Sequence, residues 1–302
     1  MPAPRIALWK SLTFVASSLA AFPAGCGDDG ARGGAAHALS FRVSTFNLRN
    51  DEDWWEDRGV IIRAGLAAEA PDVVGLQEVV IREMNLERMI ADIRDLDPSL
   101  AYNAESTLPP EPFGSLTGEG MASLSRFTID ESDVLYLSEG RTASFVRLNM
   151  GGGHRLDHYN THLHAGGGED GAAIREAQAA DLIAFMDEHG AGWPTVLTGD
   201  FNATPEEAAV GLFLGAGFTD SYAELNGDAP EVEGFTSPVV LAREPVAAGA
   251  KRRIDYILYH PGTEEHLVSA RVSRVTFNEP AEDGLFASDH FGVTTDFDVV
   301  FP

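Results

Sequence analysis

The chain of 302 residues contains a single cysteine, Cys26, and two lysines, Lys10 and Lys251. One thiol excludes an internal disulfide and any Cys-based metal site. Asp and Glu number 47 against 21 Lys and Arg, a formal charge of −26. A surface so short of cations repels polyanions unless a metal or a local arginine cluster intervenes. That argues against a broad basic face for nucleic acid, though not against a nuclease. Long apolar runs are scarce too. "SLTFVASSLAAFPAG", which follows Arg5 and Lys10, is too short to span a bilayer comfortably and about right for a secretory h-region. The hydrophobic share of 44% is ordinary for a globular chain. No internal repeat or long linker interrupts the sequence after Leu39.

Residues 1–25 are therefore expected to be a signal peptide. Ala24 and Gly25 before Cys26 resemble the lipobox of bacterial lipoproteins, in which the Cys is lipidated and becomes the new N-terminus, with Pro23 where that pattern usually has Leu. The resemblance implies an exported lipoprotein, anchored at Cys26 to a membrane of the bacterial cell envelope. Simple cleavage, leaving a free thiol on a periplasmic or secreted protein, is the alternative. "GDDGARGGAAHA" makes residues 26–38 a flexible tether. Residues 39–302 then form one domain, expected to be a monomer.

Within that domain "LSFRVSTFNL" alternates like a strand, with Phe41, Val43 and Thr45 on one face. "RGVIIRAGLAAEA" has helical apolar spacing closed by Pro71, "DVVGLQEV" reads as a buried strand, and "REMNLERMIADIRDL" as a helix. "DVLYLSEG", "TASFVRLNM" and "HRLDHYNTHL" read as strands joined by Gly-rich turns. "GAAIREAQAADLIAFMDEH" is a helix, "TVLTGD" a strand and "EEAAVGLFLGAG" a helix with a Gly stop. "RIDYILYH", "LVSARVSRVTF" and "FGVTTDFDVVF" are late strands. Strands interspersed with a few helices, in no strict alternation, favour an α+β sandwich.

Polar residues collect at the ends of these strands: Asn47, Glu78, His162, Asp200 with Asn202, Asp255, and Asp289 with His290. In "TGDFNATP" an extended backbone would turn Asp200 and Asn202 to one side and Phe201 into the core. Taken alone, the same residues can open a turn before the helix signalled by Thr204, Pro205, Glu206 and Glu207. Hard oxygen ligands, amides and histidines at the ends of apolar strands are what a divalent-metal phosphoesterase needs. The cation neutralises phosphate charge, and a His paired with a carboxylate activates water.

The motifs "TFNLR", "LQEV", "THL", "GDFNATP", "RIDYI" and "SDHFGV" occur in the order in which the endonuclease/exonuclease/phosphatase superfamily carries them. The chain from Leu39 to Pro302 resembles that superfamily of DNase I, AP endonucleases, bacterial sphingomyelinases and inositol-polyphosphate phosphatases. "GMASLSRFTI" and "GFTDSY" are similar to its intermediate segments. The resemblance implies a four-layer αββα sandwich with the site at one rim of two packed, mostly antiparallel sheets. It implies Mg²⁺, with Mn²⁺ able to substitute, held principally by Glu78 beside Asn47, with Asp289 giving a second-metal or water-mediated contact. Asp200 and Asn202 would position the water and the scissile phosphate. His290, oriented by Asp255, would be the general base, with Asp200 its rival, and His162 a phosphate ligand or acid. Arg141 and Tyr102 match phosphate-contacting residues of some relatives.

Other positions narrow the branch. Arg49 stands where AP endonucleases carry an acidic metal ligand. "AGAKRRIDYI" lacks the Trp-Cys pair of inositol phosphatases, and no long aromatic hairpin of the sphingomyelinase kind is visible. His164 would share a strand face with His162. Trp54 and Trp55 would pack on the helix that follows, or else cap the cleft or face a membrane. Lys251, Arg252 and Arg253 form the one dense basic cluster, available to a second phosphate or a nucleic-acid strand. The expected activity is hydrolysis of lipid-headgroup or other small phosphodiesters, with a DNase-like nuclease and a non-catalytic binding domain as alternatives.

Overall fold

The computed structural model describes residues 37–80, 86–110, 119–227, 234–244, 246–263 and 267–301. The expected signal segment, Cys26 and residues 26–36 of the expected tether lie outside the described residues. The strands are β1 (His37–Asn47), β2 (Val73–Val80), β3 (Asn103–Thr107), β4 (Glu119–Ser125), β5 (Thr128–Tyr136), β6 (Thr142–Gly151), β7 (His154–His162), β8 (Thr195–Asp200), β9 (Thr219–Asp220), β10 (Asp255–His260), β11 (Leu267–Thr276) and β12 (Gly292–Phe301). The helices are α1 (Trp55–Glu69), α2 (Leu86–Leu96), α3 (Gly168–His189), α4 (Ala208–Gly215) and α5 (Ser221–Asn226).

They form two six-stranded sheets, ordered β11-β12-β1-β2-β4-β3 and β5-β6-β7-β8-β10-β9. Each sheet has one parallel pair at its centre. β1 runs through α1 to β2, with Asn47 opposite Gln77, and β7 runs through α3 to β8, with His162 opposite Asp200. A parallel neighbour requires a crossover long enough for a helix, and that places α1 and α3 on the outer faces. Ile62 and Leu66 of α1 and Met89 and Ile93 of α2 pack on Phe46, Val74 and Leu76 of the first sheet. Leu182 and Phe185 of α3 and Phe213 of α4 pack on Phe145, Tyr159 and Leu197 of the second. A third cluster, including Phe41, Val43, Val196, Ile257 and Phe297, fills the space between the sheets. The result is the expected α+β, four-layer αββα sandwich, each buried Leu or Phe contributing on the order of 1.5–3 kcal/mol.

Three expectations about segments change. His37 and Ala38 belong to β1 rather than to a tether, because Phe301 and Val300 of β12 supply them with a ladder partner. "DVLYLSEG" divides between the end of β5 and a 3₁₀ turn at Ser138–Gly140. β12 starts at Gly292, so Asp289 and His290 sit in the loop before it.

The inner faces grade from apolar to polar along every central strand. Residues of alternate position share a face, so β1 presents Phe41, Val43, Thr45 and Asn47; β7 presents Leu156, His158, Asn160 and His162; and β8 presents Val196, Thr198 and Asp200. Midway, buried side chains join the two sheets. Gln77 donates to Asn160 Oδ1 at 2.7 Å and to Thr45 Oγ1 at 3.1 Å, and Asn160 donates to the carbonyls of Leu76 and Ala122 at 3.0 and 3.2 Å. Gly75 lets the sheets approach there, since a Cβ on it would stand 2.1 Å from Thr198 Oγ1 and 2.7 Å from Asn160 Oδ1. Gly75→Ala should therefore lose roughly 1–3 kcal/mol of unfolding free energy or more by overpacking. Urea denaturation checks it, and an unchanged midpoint would show that the sheets can separate freely.

Candidate active site

The carboxyl ends of both parallel pairs meet at one rim, where ligand sites of parallel sheets form. Asp200 closes β8 with 1% of its surface exposed. Its Oδ2 accepts the Asn47 amide N–H from β1 at 3.0 Å and lies 3.5 Å from His162 Nε2 of β7 and 3.8 Å from His290 Nε2. Its Oδ1 accepts the backbone N–H of Asn202 at 2.8 Å. That contact is a tight turn, with Asn202 at φ 51°, rather than the extended i, i+2 arrangement expected. Phe201 is fully buried, as expected, and Asn202 donates its side-chain amide to the Leu163 carbonyl at 3.1 Å.

Glu78 reaches the same place by an irregularity. Strand alternation would turn it outward with Val74 and Leu76, toward the helices. The β2–β4 register slips between Leu76 and Val79, and Glu78 takes φ 52°. This bulge re-aims the side chain: Glu78 Oε1 accepts from Asn47 Nδ2 at 3.0 Å. Asn47 thus gives its N–H groups to two carboxylates, and its oxygen accepts from the Arg49 backbone N–H at 2.9 Å. In this orientation Asn47 is a donor between acids, and the metal-ligand role expected of it needs the amide oxygen. Rotating its amide would present the oxygen instead.

His290 lies between two acids. Its Nδ1 faces Asp255 Oδ2 at 2.9 Å, and its Nε2 lies 3.3 Å from Ser237 Oγ. Burial disfavours the imidazolium, but Asp255 and Asp200 outweigh it and push the pKa up to about 10. A ring so held favours the imidazolium, whereas the general-base role expected of it needs the neutral form. His162 is the opposite case. Burial, then Arg141 and His290, hold its pKa well below the ordinary value. Arg141 NH1 lies 2.9 Å from His162 Nδ1, and a guanidinium can only donate, so the ring is neutral with its proton on Nε2, facing Asp200. Burial and then Asp255 raise Asp200 to about 6 against the charge of His290.

Glu78 is raised to about 7 by burial, then by Glu119, with Asp200 and Asp289 adding to it against the Asn47 hydrogen bond. Carboxylates that raise one another's pKa are short of positive charge. Ligand atoms of Glu78, His162 and Asp200 lie within 4.8 Å of one another, as do those of Asp200, Asp255 and His290. Oxygen donors in this setting fit a hard divalent cation. Asp289 stands apart, its Oδ2 held by Arg49 NH1 at 2.6 Å.

The remaining expected residues divide. Arg141, His162 and His164 line one cavity of about 300 Å³ with Glu119, Glu139 and Met121. β7 ends at His162, so His164 arrives there from the following loop. Tyr102 is not at the site: its hydroxyl donates to the Pro71 carbonyl at 2.8 Å, just before β2 and at the far end of that strand from Glu78. Arg253 is tied to Asp220 at 2.5 Å and lies over the Tyr256 ring, leaving Lys251 and Arg252 exposed. Trp55 packs against the core under α1, while Trp54 is 45% exposed and lies against Arg243.

Sequence reading missed Arg58, Ser237 and Glu119. Arg58 shares a helix face with Ile62 and Leu66, is fully buried, and donates to the carbonyls of Leu48, Arg49, Asn50, Glu52, Asp53 and Ala287 at 2.6–3.2 Å. Burial brings its pKa down to about 10. It clamps the loop after β1 to the one before His290, and an arginine in a helical pattern carries no signal for that. Glu119 does have one: it opens the strand whose "GMASLSRFTI" resembles a family segment.

The model of the endonuclease/exonuclease/phosphatase family matches residues 44–290, a span from β1 to His290. The chain belongs to this family. Among curated family relatives it is similar to Nocturnin of Drosophila melanogaster, 25% identical over 276 residues that make up 82% of this chain and 42% of Nocturnin. It is also similar to a sphingomyelinase of Mycobacterium bovis, 30% identical over 139 residues, 40% of this chain and 27% of that protein. The chain thus spans less than half the length of these relatives. Among solved structures, a humanized D. rerio TDP2 superposes with a TM-score of 0.66 at 20% identity, covering 85% of this chain and 98% of that one. The human Nocturnin catalytic domain with bound sulfate gives 0.65 at 20% identity, covering 87% and 97%.

A cation held at Glu78 would compete with a proton there, so Mg²⁺ binding should weaken as the pH falls through 7. Calorimetry should give a Kd several-fold larger at pH 6 than at pH 8, and Glu78→Gln should remove tight binding at both. Equal Kd values at the two pH values would take Glu78 out of the coordination.

Proposed function

We propose that the chain is a divalent-metal-dependent phosphodiesterase that hydrolyses lipid-headgroup or other small phosphodiesters. The observation that carries the reading is the Asp200 carboxylate facing an amide, a neutral imidazole and a charged imidazole at 3.0, 3.5 and 3.8 Å, with Glu78 on the same Asn47 amide. A cation held at Glu78 would neutralise phosphate charge. The Nε2–H of His162 donates to a phosphate oxygen, and the His290 imidazolium offers a charge-assisted donor to another. Asp200, ionised at neutral pH, accepts the proton of the attacking water.

The small-phosphodiester reading is supported by the −26 formal charge and by the engagement of Arg253 within the fold, both of which work against long contacts with a polyanion. It is supported also by the match to a protein named sphingomyelinase, and the expected anchor at Cys26 would hold such a site beside its lipids. Sphingomyelin vesicles, supercoiled plasmid and bis(p-nitrophenyl) phosphate, each with Mg²⁺, with Mn²⁺ and with EDTA, test it. Turnover of the vesicles and the chromogenic diester, abolished by EDTA, is expected. Cleavage of plasmid alone would make the protein a nuclease, and inertness toward all three a binding domain.

The assignment of the base has its own signature. A base must be ionised, so activity should fall tenfold per pH unit below about 6, where Asp200 takes up its proton. The charge on His290 lowers the Asp200 pKa, so His290→Ala should cut kcat by about 10²-fold or more and move this acid limb to higher pH. Disappearance of the limb in His290→Ala would return the base role to His290.

A further inference from the structure

Arg49 lies two residues after Asn47 with φ 54°, a conformation uncommon for a side-chain-bearing residue. Its backbone is held on both sides: the N–H donates to Asn47 Oδ1 at 2.9 Å and the carbonyl accepts from buried Arg58 at 3.0 Å. Its guanidinium is divided between two acids, NH1 meeting Asp289 Oδ2 at 2.6 Å while Nε and NH2 converge on Asp53 Oδ2 at 2.9 and 2.6 Å. Asp289 precedes His290 and stands close enough to Glu78 for its charge to be felt there. Among the described residues, however, Asp289 belongs to neither group of ligand atoms that converge within 4.8 Å. A short charge-assisted hydrogen bond from a planar, fixed fork holds Oδ2, and the Ser288 hydroxyl meets Oδ1 at 3.4 Å, so turning this carboxylate to a cation means giving up the Arg49 contact.

We propose that Arg49 is a positioning residue that keeps the Asp289 carboxylate out of the coordination of a cation bound at Glu78. The inference rests on the metal reading above and narrows it: Glu78 would hold the cation without help from Asp289, because Arg49 occupies the flank that Asp289 would otherwise supply. The usual expectation for deleting a residue at a metal site is weaker binding. Here the expectation is reversed, because the deletion frees an acid. The Arg49 and Asp289 side chains are 30% and 26% exposed, so solvent screening keeps the effect moderate.

Mg²⁺ is titrated calorimetrically into the full chain at pH 8, without substrate, for wild type, Arg49→Ala, Asp289→Asn and the double variant. Arg49→Ala should bind about fivefold tighter, Asp289→Asn should stay within about twofold of wild type, and the double variant should lose the gain. Should Arg49→Ala fail to melt cooperatively, Arg49→Gln, which retains most of the stem, takes its place. Unchanged or weaker binding in the Arg49 variant overturns the proposal. So does an equal gain in the double variant, which would mean that removing a positive charge acts without Asp289. Wild type that binds no Mg²⁺ sinks the metal reading itself, and the proposal with it.

Discussion

A buried carboxylate must be matched by donors or charge, and Asp200 is the residue around which this structure satisfies that demand. With 1% of its surface exposed, it cannot rely on water, and Asp255 across the β8–β10 ladder adds a second negative charge beside it. Asn47, Asn202 and His290 each answer part of the deficit, and each comes from a different segment. The alignment of β1, β8 and the loop before β12 is thus tied to one oxygen pair. Withdraw the imidazolium and two neighbouring acids repel with nothing between them. Withdraw the acids and a buried imidazolium has no reason to be charged.

Opposite fates for two histidines follow from the same arrangement. His290 sits between carboxylates and is held charged; His162, beside Arg141, is held neutral with a defined tautomer. Their rings approach one Asp200 oxygen to within 0.3 Å of the same distance, 3.5 and 3.8 Å. A phosphate entering here would meet one neutral and one charged donor, an asymmetry that burial alone could not produce.

The scaffold delivers these groups through a polarity gradient. Each inner strand face passes from core residues through a buried amide and hydroxyl layer to the site, so the sheets are joined by hydrogen bonds where the site needs rigidity and by apolar contacts elsewhere. Gly75 sets their separation at that layer. Arg58 closes the rim from outside by gathering six carbonyls of two loops.

The sequence alone determined most of the strands and helices, though not β3, β9 or α5, since period-2 and period-3.6 patterns are local, and it placed Asn47, His162, Asp200 and Asp255 at strand ends through ordered motifs. It determined, through 47 acids against 21 bases, that the surface would be acidic. Tertiary structure decided whatever depends on a neighbour far along the chain. The sheet bulge turned Glu78 from the helix face to the cleft. A ladder partner in β12 drew His37 and Ala38 into β1. The charge on His290 required two acids from β8 and β10, and Arg49, already paired with Asp53 nearby in sequence, met Asp289 only when the loop before β12 brought that carboxylate within 2.6 Å. Tyr102 has the residue type of a phosphate contact but sits at the wrong end of its sheet. Residue type is written locally; the charge and direction of a side chain are set by what folding packs against it.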